Sequence, residues 1–259
     1  MGKHVRELSV VAANVPCVST RLVNLVVDAV DPGKLARFWA ALLGWRVAVE
    51  LPDEIDVRAP AGEGWGLDLV FVPVPAPKTG KNRVHLDLAS RTPEHQAELV
   101  ERALALGARR HDLGQGAVPW VVLADPEGNE FCVLEPREQY ARSGAVASIV
   151  VDTRDPAALA RFWSLATGWP IAGREEAIVG LRAPSGTGPW LEFLRNGDLK
   201  RGKNRLHLDV APVLGDELEA EVARLAGAGA VPADVGQGTV PWVVLADPEG
   251  NEFCVLTAR

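Results

Sequence analysis

The chain has little that marks a secreted or nucleic-acid-binding protein. It has three cysteines (Cys17, Cys132 and Cys254), one methionine and one tyrosine. Three scattered thiols cannot build a disulfide framework, so reduced cysteines in the cytoplasm are expected. No apolar run reaches the ~18 residues needed to cross a bilayer. Twenty-seven basic residues against 34 acidic ones leave a net charge of −7, with no cluster of five or more Lys and Arg. A nucleic-acid partner needs a basic stripe to displace counterions from phosphates, so that class is excluded. A phosphate-cradling glycine loop, a serine nucleophile elbow and a Cys-x-x-Cys pair are also missing. Residues 1–17 contain Lys3 and Arg6 before a short apolar stretch broken by Asn14 and Pro16. That is too weak for a secretory signal and is read as a loose leader.

What is present is a duplication. Val118–Leu134 recurs unchanged as Val240–Leu256, and Lys81–Asp87 returns as Lys203–Asp209 with one Val-to-Leu change, both at an offset of 122. Asp31-Pro32, Leu35–Trp39 and Gly44-Trp45 return at an offset of 124. A self-similarity of this length means repeated architecture. The reading divides the chain into a leader (1–17), a first domain (18–136), a polar linker (137–144) and a second domain (145–259). Within each half the pattern is strand, helix and three strands, taken twice. Asp31 is suited to cap a helix with Pro32 at its first position, and Gly44 to end it. Thr92-Pro93 opens another helix, and Asp125-Pro-Glu-Gly128 joins the last two strands as a hairpin.

Four βαβββ modules with Phe-Trp then Leu-Gly-Trp on the first helix, and Asp-Pro-Glu-Gly-Asn before the last strand, resemble the vicinal oxygen chelate superfamily. That group includes glyoxalase I, bleomycin-resistance proteins and extradiol dioxygenases. The resemblance covers nearly the whole chain. It implies an α+β fold of two tandem cups of sheet, each able to hold a small ligand. A tandem of this kind mimics a homodimer, so a self-sufficient monomer or a homodimer is expected.

The family's enzymes usually hold a divalent metal at four strand positions. These positions fall here on Asn24 and Ser148, Asp68 and Glu192, Arg83 and Arg205, and Cys132 and Cys254. A guanidinium has no lone pair to donate and carries permanent charge, so the set is wrong for a metal. No metal and no cofactor are expected. The arginines are read as replacing the cation, with Asp68 and Glu192 as salt-bridge partners across the cup. The alternative is that these pairs only join modules.

Strand alternation puts Arg83, His85 and Asp87 on one face and Val84, Leu86 and Leu88 on the other. The apolar set belongs against a helix, leaving the polar set to the cup. Arg205, His207 and Asp209 repeat the arrangement. His85 and His207 are candidate acid/base groups beside Asp87 and Asp209. Trp65 and Trp190, in Gly- and Pro-rich loops, are candidates for stacking on a ligand, and Trp45 and Trp169 for the cup lining. The facing of Trp120 and Trp242 is undecided. Cys132 and Cys254 are either thiolates activated by nearby positive charge or inert small hydrophobes. The expected function is capture of a small hydrophobic or anionic molecule in a metal-free cup, with no membrane partner. The alternatives are a metal-independent lyase or isomerase using a histidine, and glyoxalase I-type lyase activity. The loops at 46–80 and 170–202 differ most between halves, so the cups are expected to be inequivalent.

Overall fold

The computed structural model describes residues 20–259; the leader and Cys17 lie outside them. Module 1 comprises β1 (Thr20–Ala29), α1 (Pro32–Leu43), β2 (Arg46–Glu50), β3 (Ile55–Arg58) and β4 (Asp68–Pro73). Module 2 comprises β5 (Val84–Leu88), α2 (Pro93–Ala105), β6 (Arg109–Arg110), β7 (Val121–Ala124) and β8 (Glu130–Val133). The linker carries one 3-10 turn at Glu138–Tyr140. Module 3 comprises β9 (Val146–Thr153), α3 (Pro156–Thr167), β10 (Ile171–Arg174), β11 (Ile178–Arg182) and β12 (Trp190–Arg195). Module 4 comprises β13 (Leu206–Pro212), α4 (Leu218–Gly227), β14 (Val231–Pro232), β15 (Val243–Ala246) and β16 (Glu252–Val255).

The helix starts follow the local chemistry. The Asp31 carboxylate accepts the Lys34 N–H at 2.9 Å, Pro32 fills the first helical position, and Gly44 ends α1 at φ 71°. Leu35, Phe38, Trp39, Leu42 and Leu43 then form one buried face, as their helical spacing requires. Thr92 caps α2 by accepting the His95 N–H at 3.1 Å.

The two eight-stranded sheets cut across the repeat. The first runs β14-β15-β16-β13-β1-β4-β3-β2 and the second β10-β11-β12-β9-β5-β8-β7-β6. Modules 1 and 4 therefore share one sheet, and modules 2 and 3 the other. β1 pairs antiparallel with β13, setting Asn24 opposite Asp209, while β5 pairs antiparallel with β9, setting Asp87 opposite Ser148. The sheets' apolar faces and the helices enclose one continuous core, in which Trp39 of α1 lies 5.0 Å from the ring of Phe131 on β8.

The Asp-Pro-Glu-Gly-Asn hairpins tie this exchange together. Buried Asp125 accepts the backbone N–H groups of Glu127 and Asn129, the Asn129 amide and the Trp39 indole N–H. Glu127 accepts the N–H groups of Val30 and Asp31 at the entrance to α1 and meets Arg205 at 2.9 Å. Glu249 repeats the role, holding Thr153, Arg154, Asp155 and, at 3.0 Å, Arg83.

This corrects the expected partners of the two arginines. Arg83 is bound to Glu249, Asn251 and the carbonyls of Asp152 and Asp198. Arg205 is bound to Glu127 and the Ala76 carbonyl. Neither reaches Asp68 or Glu192. Each arginine stands just before its strand, so its long side chain extends past the cup floor to the neighbouring hairpin. Both line a separate cleft between the modules. They supply no free positive charge to a cup.

Candidate functional site

Because sheets and halves do not coincide, each cup combines residues from both halves. The cup of the second sheet joins His85 and Asp87 on β5 and Cys132 on β8 with Ser148 on β9 and Glu192 on β12. The first-sheet cup joins Asn24, Asp68, His207, Asp209 and Cys254. Strand alternation holds as expected: Val84, Leu86 and Leu88 are buried in the core, and His85 and Asp87 face a cavity of about 330 Å³.

The floor of that cavity is polar and its walls are mixed. The His85 Nε2 lies 3.5 Å from the Asp87 carboxylate. Glu192 is buried, and the Tyr140 hydroxyl lies 3.1 and 3.0 Å from its two carboxylate oxygens. Val122, Leu134, Val150 and Trp120 add apolar surface. Burial, with the Asp87 charge nearby, pushes Glu192 up to about 7. Burial also raises Asp87, against the opposing pull of His85. Desolvation is the larger effect in both cases, since a charged carboxylate loses its water there.

Both described cysteines are free and buried. Burial and the adjacent carboxylates push Cys132 and Cys254 well above the ordinary thiol range. A thiolate activated by positive charge is not what these strands provide. Burial lowers His207 to about 3, which favours the neutral imidazole at physiological pH.

The loop tryptophans are placed differently from expectation. Trp65 is buried and packs on Trp45 at 5.0 Å, so both belong to the core. The loop turns inward because Gly64 meets Gly188 backbone to backbone, where a Cβ on Gly64 would lie 2.6 Å from the Gly188 nitrogen. Trp169 packs against the same core, and Trp190 donates its indole N–H to the Gln139 carbonyl under the Arg182 guanidinium. Trp120 is the tryptophan that lines the cavity.

The linker supplies what the sequence reading missed. Tyr140 and Arg137 both line the cavity, and Arg137 spends its charge on Glu135 at 2.6 Å. No periodicity marked them; the only sequence signal was that Tyr140 is the single tyrosine.

The first-sheet cup is organised otherwise. The Asp68 carboxylate, which occupies the place of Glu192 in the repeat, is clamped through both oxygens by Arg58. The equivalent arginine in the second sheet, Arg182, turns instead to Ser143 and the Gly186 carbonyl. Asn24 donates to Asp209 at 3.2 Å, and burial raises Asp209 to about 6.

In each cup the donor atoms of one trio, His85–Asp87–Cys132 or His207–Asp209–Cys254, lie within 4.8 Å of one another. Imidazole, carboxylate and thiol suit a zinc-type ion better than a hard cation. The family's set drawn from four strands is not reproduced. Asn24 already donates to Asp209, Asp68 is held by Arg58, and Ser148 offers only a hydroxyl.

The glyoxalase-like domain family model matches the chain twice, over residues 24–134 and 148–256. Glyoxalase I from Zea mays superposes with a TM-score of 0.66 at 14% identity, covering 92% of each chain. A putative dioxygenase from Bacillus subtilis subsp. subtilis str. 168 gives 0.61 at 13% identity, over 92% of this chain and 85% of its own. At these identities the likeness is one of fold. No curated protein matches the chain by sequence. Two family matches, paired eight-stranded sheets and βαβββ modules throughout lead to one assignment: the chain belongs to the glyoxalase-like domain family, within the vicinal oxygen chelate superfamily.

Proposed function

We propose that this protein captures a small, largely hydrophobic molecule in the second-sheet cup, without a metal. The observation that carries the reading is the cavity of about 330 Å³ with Glu192, Tyr140, Asp87 and His85 at its floor, mixed polar and apolar walls, and Trp120 at its side. A concave, mixed cavity with a few converging polar groups is the usual form of a small-molecule site. An anionic guest loses its support, because Arg83 and Arg205 are spent on the hairpin glutamates. No helix among the described residues is long and apolar enough to cross a membrane. A cytoplasmic monomer, with all four modules in one chain and no nucleic-acid partner, completes the proposal.

Trp120 gives the test. Binding of a guest should change the intrinsic fluorescence, and Trp120→Phe should abolish most of that change while leaving affinity within a few-fold. A screen of aromatic and aliphatic small molecules in which none perturbs the wild-type emission or melting temperature would refute the reading.

The clustering of His85, Asp87 and Cys132 favours a second reading, in which a zinc-type ion rests on those three groups. Such an ion would supply Lewis-acid polarisation of a bound oxygen. Elemental analysis of protein purified without chelator or affinity-tag metal separates the two: stoichiometric zinc supports the second reading and overturns the first.

A further inference from the structure

We infer that the second-sheet cup takes its guest by a protonated amine, which sits against Glu192 and Asp87 where the first-sheet cup carries an arginine. The inference rests on the proposed small-molecule reading and names the chemistry of the guest.

The duplication provides an internal comparison. In the first-sheet cup the carboxylate at this place in the repeat, Asp68, is neutralised from within the fold by Arg58, whose Nε lies 2.7 Å from one carboxylate oxygen. In the second-sheet cup the repeat supplies the same arginine, but Arg182 faces away. It donates to Ser143 at 3.0 Å and to the Gly186 carbonyl at 3.1 Å, and its guanidinium lies 5.0 Å from the Trp190 ring. The cationic position beside the carboxylate is therefore filled by the protein in one cup and left to a ligand in the other.

Arg137 pulls on both carboxylates from beyond ion-pair distance, and the other charges at the cavity are paired among themselves or with neighbours. Glu130 is paired with Lys78, and Asp152 with Lys81 and Asn196. Arg137 is paired with Glu135. That leaves Asp87 and Glu192 inside the cavity and the exposed Asp198 at its edge, and among the described residues no lysine or arginine forms an ion pair with any of the three. The neighbours of Asp87 are the His85 imidazole and the Cys132 thiol, and those of Glu192 are the Tyr140 hydroxyl, the Gln139 amide and Ser148. The Tyr140 hydroxyl and, at 3.5 Å, the Gln139 amide reach Glu192, and neither carries a charge that would balance the carboxylate. One Asp87 oxygen is buried and has no hydrogen-bond partner. An ammonium has three donors and no acceptor, which matches two carboxylates in need of protons. Trp120, beside them, offers an apolar face to the body of the guest.

Isothermal titration at pH 8 with three probes of one shape tests this: 2-(1-naphthyl)ethylamine, 2-(1-naphthyl)ethanol and 1-naphthylacetate. The amine is expected to bind at one per chain, at least tenfold tighter than the alcohol, with the carboxylate weakest. Glu192→Gln should bring the amine to within threefold of the alcohol, with a thermal melt confirming that the variant is folded. Alcohol or carboxylate binding as tightly as the amine would overturn the amine inference while leaving the small-molecule reading standing. An amine advantage that survives Glu192→Gln, or two amines per chain, would also overturn it. If no probe binds at millimolar concentration, both the inference and the reading beneath it fall.

Discussion

Replacing Glu192 with Gln should stabilise the protein, and only above a defined pH. Glu192 is raised from 4.5 to about 7, chiefly by burial and secondarily by the Asp87 charge. Between these two pH values the unfolded chain has released the proton while the folded chain retains it. Stability from this group is thus fully present below pH 4.5 and lost as pH rises through 7. At 1.36 kcal/mol per pH unit, the difference amounts to about 3 kcal/mol. Gln keeps an oxygen for the Tyr140 hydroxyl, so the cavity floor is retained without its charge. The variant should match the wild type near pH 4.5 and exceed it by about 3 kcal/mol at pH 8, or roughly 6–12 °C in melting temperature for a chain of this size. Melting curves followed by circular dichroism from pH 4.5 to 9 give the comparison. A difference that does not change with pH, or a variant less stable at pH 8, would refute the reasoning.

Three other predictions follow from the fold. Asp125→Ala should cost about 3 kcal/mol or more, because it strands the buried N–H donors of Asn129 and Trp39, each worth ~1–3 kcal/mol, and the half-buried one of Glu127; urea denaturation would show it, and a loss below about 1 kcal/mol would contradict it. Residues 20–136 expressed alone should run as a dimer on size-exclusion chromatography, since β1 and β5 would each lose an edge partner from the other half; a stable monomer would argue against the shared sheets. Cys132 and Cys254 should resist iodoacetamide at pH 8 in the folded protein, as buried thiols held high by their carboxylate neighbours; rapid alkylation of either, read by peptide mass spectrometry, would restore the nucleophile reading.

Much of this architecture was legible in the sequence, for physical reasons. Asp31-Pro32, Gly44 and Thr92-Pro93 act within a few residues of themselves, so the helix boundaries could be read locally. Period-two alternation placed His85 and Asp87 opposite Leu86 because a strand has only two faces. Alternation does not say which strand lies alongside. With nearly identical repeats, β1 could meet β5 or β13 equally well on local grounds, and the exchange between halves became visible only in the sheets. The same limit explains Arg83 and Arg205: their face was legible, but the reach of a guanidinium to Glu249 or Glu127 depends on which hairpin stands nearby. Trp65 looked exposed because its loop is glycine-rich, whereas those glycines permit a close backbone approach that folds the indole onto Trp45. Arg58 and Arg182 occupy equivalent positions in the sequence, and nothing local announces that one binds a carboxylate and the other does not. Tyr140 follows no pattern; only its position after the last strand of module 2 brings it to Glu192.

The difference between the cups has a simple physical origin. The linker exists once, so its phenol enters one cup. A duplicated arginine neutralises its carboxylate in the other. Two near-copies of one sequence thereby come to offer different chemistry without any change in the His-Asp-Cys trio they share.

The most direct test of metal-free capture is native mass spectrometry of the protein purified without chelator or affinity-tag metal, run before and after incubation with the organic extract of its host. One organic mass per chain, released unchanged on denaturation and unaccompanied by a divalent ion, is the predicted result. A stoichiometric divalent ion, or a guest released as a chemically altered product, would contradict the account.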